Sequence, residues 1–256
     1  EDLISIDGRA YFTAQTTALG RELYTATRDG AKLLRDIRAG TSSSNPSHFA
    51  PLFDGNTTRV FFGATTNAAG RELWVTDGTS AGTKLFLDLV PGPRGSNPTQ
   101  FTRSGGQLFF SASDPVHGQE LWATDGTPGG TRLVADVEPG TMNSSPLRLT
   151  PWRGGVMFSA SSSVTGRELW VSDGTAAGTT LLRDIAPGSQ SISIRDAIVD
   201  PSNRFAWLSL DDGVHGLELW RTDGTAAGTR LVRDIWPGTA SSLPSGFAFF
   251  NGSLLF

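Results

Sequence analysis

The sequence predicts an all-β chain, a β-propeller of four-stranded blades, on three observations: one motif recurs at near-constant spacing, each recurrence holds about four strand-like stretches, and no segment has helical periodicity. Gly-Arg-Glu-Leu-Tyr at 20–24 returns as Gly-Arg-Glu-Leu-Trp at 70–74 and 166–170, Gly-Gln-Glu-Leu-Trp at 118–122 and Gly-Leu-Glu-Leu-Trp at 216–220. The glutamates Glu22, Glu72, Glu120, Glu168 and Glu218 stand 50, 48, 48 and 50 residues apart. An aspartate in an apolar stretch follows each of them: Asp36, Asp88, Asp136, Asp184 and Asp234. Between these anchors the last four copies read Asp-Gly-Thr-x-x-Gly-Thr, starting at Asp77, Asp125, Asp173 and Asp223.

Strands follow from β-branched and aromatic content. In the third copy they are predicted at 100–103, 107–111, 120–124 and 132–137, with a Ser-Gly-Gly turn in the first hairpin and Asp-Gly-Thr-Pro-Gly-Gly-Thr in the second. Strands such as Val60-Phe61-Phe62 are apolar on both faces, which suits small sheets covered on both sides. The chain therefore reads as a single repeat domain over 1–256, with repeats at 1–46, 47–98, 99–146, 147–196 and 197–244 and a partial copy at 245–256. Five complete repeats plus one extra hairpin predict a five- or six-bladed ring, and a segment of a larger protein. The unpaired terminal hairpin is an edge that invites self-association.

Composition narrows the function classes. A net charge of −4 without any basic run gives no footprint for nucleic acid, and no apolar stretch is long enough for membrane insertion. The absence of cysteine removes disulfides, thiolate metal sites and cysteine nucleophiles. Gly 31 and Pro 14 are high but fall at regular turn positions, so they punctuate strands and do not form a linker.

The motif, complete four times, resembles that of bacterial repeat proteins carrying Glu-Leu-Trp-x-x-Asp-Gly-Thr-x-x-Gly-Thr. That resemblance implies a propeller-like domain in secreted or surface-attached proteins, without established catalytic activity. The first copy departs from it, with Tyr24 for Trp and 25–30 in place of the long turn.

Residues present in every copy are expected to build the blade. The repeated acids are assigned to hydrogen bonds with turn or neighbouring-blade amides, and the tryptophans to wedges between blades. The alternative is a sugar-binding pocket per blade, formed by Glu72 and Trp74, Glu120 and Trp122, Glu168 and Trp170, and Glu218 and Trp220, since alternation puts each acid and indole on one strand face. The Asp-Gly-Thr turn offers one acid where calcium takes several oxygen ligands, so no metal site is assigned. His48, His117 and His215 are read as solvated loop residues, the last two replacing Leu19, Ala69 and Thr165 of the other copies. No catalytic motif and no cofactor fingerprint occurs.

The expected function is a non-enzymatic interaction or scaffold module, extracellular, at the cell surface or periplasmic, whose partner is a protein or a surface polysaccharide. A multivalent lectin is the alternative. A hydrolase with a central-channel site is the second alternative, and it requires one blade bearing groups that the others lack.

Overall fold

The computed structural model describes residues 3–53 and 55–256. Among them there is no helix. Leu3–Ile6 (β1), Arg9–Thr16 (β2), Gly20–Thr27 (β3) and Gly30–Arg35 (β4) form the first blade, and Ser47–Phe53 (β5), Thr58–Thr66 (β6), Gly70–Thr76 (β7) and Lys84–Leu87 (β8) form the second. The third comprises Thr99–Ser104 (β9), Gln107–Asp114 (β10), Gly118–Thr124 (β11) and Arg132–Ala135 (β12). Leu147–Trp152 (β13), Gly155–Ser162 (β14), Gly166–Ser172 (β15) and Thr180–Arg183 (β16) make the fourth, and Ser193–Val199 (β17), Ala206–Asp211 (β18), Leu217–Thr222 (β19) and Arg230–Arg233 (β20) make the fifth. Ala248–Phe250 (β21) pairs only with Ser253–Leu255 (β22). Strands follow one another in chain order within each sheet, so the fold is the predicted propeller type of four-stranded blades.

The chain divides into two compact units, Glu1–Leu133 and Val134–Phe256, where the sequence predicted one repeat domain. In tandem arrays each repeat packs on its neighbours alone, so no single core has to run through the whole chain. In the first unit, Tyr11 and Leu23 of blade one meet Val60, Phe62 and Trp74 of blade two, and Phe61, Leu73 and Val75 of blade two meet Leu108 and Phe110 of blade three. Phe61 thus faces the following blade and Phe62 the preceding one, which is why β6 is apolar on both sides. In the second unit, Trp152, Met157 and Leu169 of blade four meet Leu208, Leu210 and Trp220 of blade five. Each buried phenylalanine contributes about 2–3 kcal/mol by burial alone. Polar latches reinforce the seams: Arg9 Nη1 donates to the Gly78 carbonyl (3.1 Å) and Arg59 Nη2 to that of Gly126 (2.7 Å).

Two boundaries differ from the prediction. The strand predicted over 132–137 ends at Ala135. Its counterpart in the second blade shows the reason, because there the Leu89 amide turns away to a glutamate and leaves the ladder. The fifth blade begins at Ser193, inside the repeat predicted to run to 196, because a bulge between Ile194 and Asp196 hides the strand's alternation.

The Asp-Gly-Thr-x-x-Gly-Thr turn is closed by its own side chains. Asp77 Oδ1 accepts from the Thr79 amide (2.8 Å) and hydroxyl (2.7 Å), Thr79 Oγ1 accepts from the Gly82 amide (2.9 Å), and the hydroxyls of Thr76 and Thr83 pair at 2.7 Å. The second glycine is required by space, since a Cβ at Gly82 or Gly130 would overlap the carboxylate of Asp77 or Asp125, whereas one at Gly129 meets nothing. In the first copy, Thr27 pairs directly with Gly30 and the long turn is absent.

Gly130→Ala is therefore expected to destabilise the protein by about 2 kcal/mol, while Gly129→Ala is neutral or slightly stabilising through the unfolded chain. Urea titrations of the two variants check this. Equal effects would show that the carboxylate does not set the turn.

Candidate functional site at the connecting-loop end of the blades

In each blade the turn between the second and third strands and the connection to the next blade lie at the same end of the sheet. The repeated glutamate stands there, at the start of the third strand. Glu22, Glu72, Glu120, Glu168 and Glu218 are all fully buried. Glu22 accepts from the amides of Ile37 and Ser44 (both 2.9 Å) and the Ser44 hydroxyl (2.6 Å). Glu72 accepts from the amides of Leu89 (3.2 Å), Val90 (3.1 Å) and Ser96 (2.7 Å) and the Ser96 hydroxyl (2.5 Å). The same serines accept at their carbonyls from the next blade, Thr65 N donating to Ser44 O and Ser113 N to Ser96 O (both 2.8 Å). One carboxylate thus fixes the connection, and the connection fixes the following blade. The glycine two residues earlier belongs to this junction: Gly70 has φ +68°, and a Cβ there would lie 2.6 Å from the Pro93 carbonyl oxygen.

The fourth blade breaks the pattern. Ile192 stands where the other connections have a serine, and Glu168, without that hydroxyl, accepts from the amides of Ile185 (3.0 Å) and Ala186 (2.9 Å) and from the Leu169 backbone. Burial, opposed by fewer donors, pushes the Glu168 carboxyl up to about 7. Burial also raises Glu72, against the donors of Ser96, Val90 and Leu89. In Glu218 burial alone would do the same, but the Ser242 hydroxyl and three amides outweigh it and hold the group below its ordinary value.

The glutamates and tryptophans do not make open sugar pockets. Each of the four acids lies out of reach of solvent; Trp74 and Trp220 are buried, and Trp122 and Trp170 are half-buried. Trp74 belongs to the seam between blades one and two, and Trp220 to that between blades four and five. The indole Nε1 atoms of Trp74, Trp122, Trp170 and Trp220 are buried without a hydrogen-bond partner among the described residues, so these rings act by packing.

What does face solvent at this end is a pair of histidines held by aspartates. His117 Nδ1 lies 2.8 Å from Asp114 Oδ2, and His215 Nδ1 lies 2.7 Å from Asp212 Oδ2. The other oxygen of each aspartate accepts backbone amides of the turn, those of Val116 and His117 or Val214 and His215. Burial alone would raise both aspartates, yet these donors hold them below the ordinary range. An ionised carboxylate can only accept, so Nδ1 carries the proton and, in the neutral ring, Nε2 is the nitrogen left as the acceptor. The hydrogen bond that His215 donates to Asp212 raises the His215 pKa.

Other blades cap the same turn with a hydroxyl, Thr16 to the Leu19 amide and Thr66 to that of Ala69 (both 3.1 Å), so the Asp-x-x-His version is not needed to form it. The reading of His117 and His215 as merely solvated is corrected accordingly. The signal was present as Asp-x-x-His at 114–117 and 212–215. His48 sits elsewhere, at a left-handed residue (φ 60°) in the β-bulge of β5.

Two outcomes test this site. Glu72→Ala, which strands three amides and a hydroxyl, is expected to cost about 3 kcal/mol or more in chemical denaturation. For Glu168, folding draws a proton between the ordinary value of 4.5 and about 7, so the stability it gives is full below 4.5 and is lost as pH rises through 7. Ile192→Ser, by restoring the hydroxyl, is expected to lower the Glu168 midpoint in a carboxyl NMR titration and to flatten that loss. An unchanged midpoint would acquit the missing serine.

No family model and no curated protein matches the sequence. Solved structures do. The fold is similar to a puromycin hydrolase (13% identity, TM-score 0.56, covering 90% of this chain and 38% of that one). It is also similar to a puromycin-hydrolyzing peptidase of Mycobacterium tuberculosis (12%, 0.55, 91% and 37%) and to a prolyl endopeptidase (14%, 0.59, 99% and 38%). This chain therefore spans less than two fifths of the length of each of these enzymes. The expectation of a non-enzymatic interaction or scaffold module is overturned by these likenesses, whose bearers are hydrolases; at such identities what they share with this chain is the propeller fold.

Proposed function

We propose that this chain is the β-propeller part of a hydrolase that cleaves amide bonds. The observation that carries the reading is the likeness of nearly the whole chain to one portion of enzymes that hydrolyse puromycin or prolyl peptides. The Asp–His pairs support it. A carboxylate that holds Nδ1–H and so leaves Nε2 as the basic nitrogen is the orienting half of an acid/base relay. In that role His215 takes the proton of the attacking hydroxyl or water as it adds to the acyl carbonyl, then delivers it to the leaving amine. Asp212 keeps the ring in the required tautomer and stabilises the imidazolium. The pair is not part of the common scaffold of the repeat, since it occurs in only two of the five copies. Membership of the Glu-Leu-Trp repeat family and a secreted or surface setting belong to the same proposal, supported by the motif itself.

The test is hydrolysis of puromycin and of aminoacyl- and prolyl-p-nitroanilides by the full-length polypeptide that contains these residues. Turnover is expected, with His215→Gln reducing kcat by about a hundredfold or more while the circular dichroism spectrum is preserved. No turnover on any of these substrates would sink the hydrolase reading. Full turnover in both His215→Gln and His117→Gln would move the chemistry off the pairs.

A further inference from the structure

The first blade keeps the cations of the repeat but loses the carboxylate that accompanies them. By strand pairing, Thr25 and Lys32 of blade one correspond to Val75 and Lys84 of blade two, and Arg9 corresponds to Arg59. Two residues after Val75 comes Asp77, which opens the long turn; two residues after Thr25 comes Thr27. In blades two and three the turn aspartate lies within electrostatic reach of the cation that follows the turn, Asp77 of Lys84 and Asp125 of Arg132. Blade one has no acid at that position, and Lys32 has no hydrogen-bond or ion-pair partner among the described residues. Asp29 of the short turn pairs with Arg28 at its exposed tip (3.7 Å).

Beside this short turn opens a cleft of about 310 Å³ lined by Arg9, Thr25, Thr27, Asp29 and Lys32, its remaining wall being Gly30 and Ala31. It lies on the face turned toward blade two, and blade two is in place there. Tyr11, of the same row, packs on Val60, Phe62 and Trp74; Arg9 Nη1 donates to the Gly78 carbonyl and Arg35 Nη1 to that of Ser80 (3.0 Å). The opening comes from the shortened turn and not from a missing neighbour. Three groups in the cleft keep donors to offer. Arg9 spends one nitrogen on Gly78, Lys32 spends none, and the Thr27 hydroxyl accepts from the Asp29 amide (3.2 Å) with its own proton left to give. Thr25 is already engaged, donating to the Ala10 carbonyl (2.9 Å).

We infer that this cleft binds the phosphate monoester of a small polyol, its phosphate between Arg9 and Lys32 and its hydroxyls toward Asp29. A monoester brings roughly 1.5 to 2 negative charges and three acceptor oxygens at neutral pH, which match two cations and a hydroxyl; a carboxylate balances only one of the cations. No large apolar residue lines the cleft, so an aromatic or aliphatic body finds nothing to pack on. Asp29 can only accept, which favours hydroxyls over a second anionic group. The volume stands near the roughly 300 Å³ at which small-molecule sites begin. The inference is independent of the hydrolase reading.

The experiment is an NMR titration of the protein that follows the backbone amides of residues 27–32. The probes are glycerol 3-phosphate, glycerol, glycerate and inorganic phosphate. Glycerol 3-phosphate is expected to saturate at about 1 mM or below at low salt, with glycerate and inorganic phosphate at least about tenfold weaker and glycerol without effect. Thr27→Asp, which installs the residue of the other four copies, is expected to abolish binding while the melting temperature holds or rises, because Lys32 then has its carboxylate. Lys32→Thr, the residue of blade four at this position, is expected to weaken binding at least about tenfold, and Lys32→Arg to retain it. Glycerate or inorganic phosphate binding as tightly as the ester, undiminished binding in Thr27→Asp or Lys32→Thr, or no shift with glycerol 3-phosphate at about 10 mM would each overturn the inference.

Discussion

The buried glutamate at the start of each third strand is the constraint from which the rest of the repeat follows. A carboxylate in an interior without water has to be surrounded by donors, and the chain provides them by curling its connection back over the blade end. The tight glycine before the glutamate, the early end of the fourth strand and the serine whose carbonyl receives the next blade are all consequences of that demand. Hydrophobic seams supply most of the cohesion, yet packing alone tolerates sliding. The carboxylate fixes where each connection sits, and with it the register of the next sheet.

Much of the fold was legible because the residues that build it are the ones that repeat. Glu72 and Trp74 announce the third strand, and Asp77 with Gly78 and Thr79 announces the turn after it. The acids were rightly assigned to amides, but their donors were not visible, since Ser44 follows two other serines, Ser96 stands alone among glycines and prolines, and nothing in either loop marks the hydroxyl that folds back on the acid. Boundaries failed where a bulge or a diverted amide replaced simple alternation, as at Ser193 and after Ala135.

The candidate site was less legible for a related reason. A search for repeated residues favours scaffolding, whereas Asp114 with His117, Asp212 with His215, and Thr27 beside Lys32 are departures from the repeat. The first two pairs could have been found by spacing, because an acid three residues before a histidine across a tight turn can reach its ring. The cleft beside Lys32 could not, because the pairing of β4 with β3 shifts register between Leu23 and Tyr24, and only the actual register sets Lys32 opposite Thr25.

The glutamate-to-serine junction also defines what can be copied. Each sheet looks like the natural module, but a sheet cut out at its own edges would leave an acid without donors and a serine without its acid. The self-sufficient stretch is shifted along the chain: it runs from within one blade, through the connection, into the second strand of the next. A gain or loss of repeats that preserves folding must therefore break the chain inside the Asp-Gly-Thr turn side of a blade, whose polar groups satisfy one another, and leave the opposite end whole. Growth of such an array is phased by its hydrogen bonds and only secondarily by its sheets.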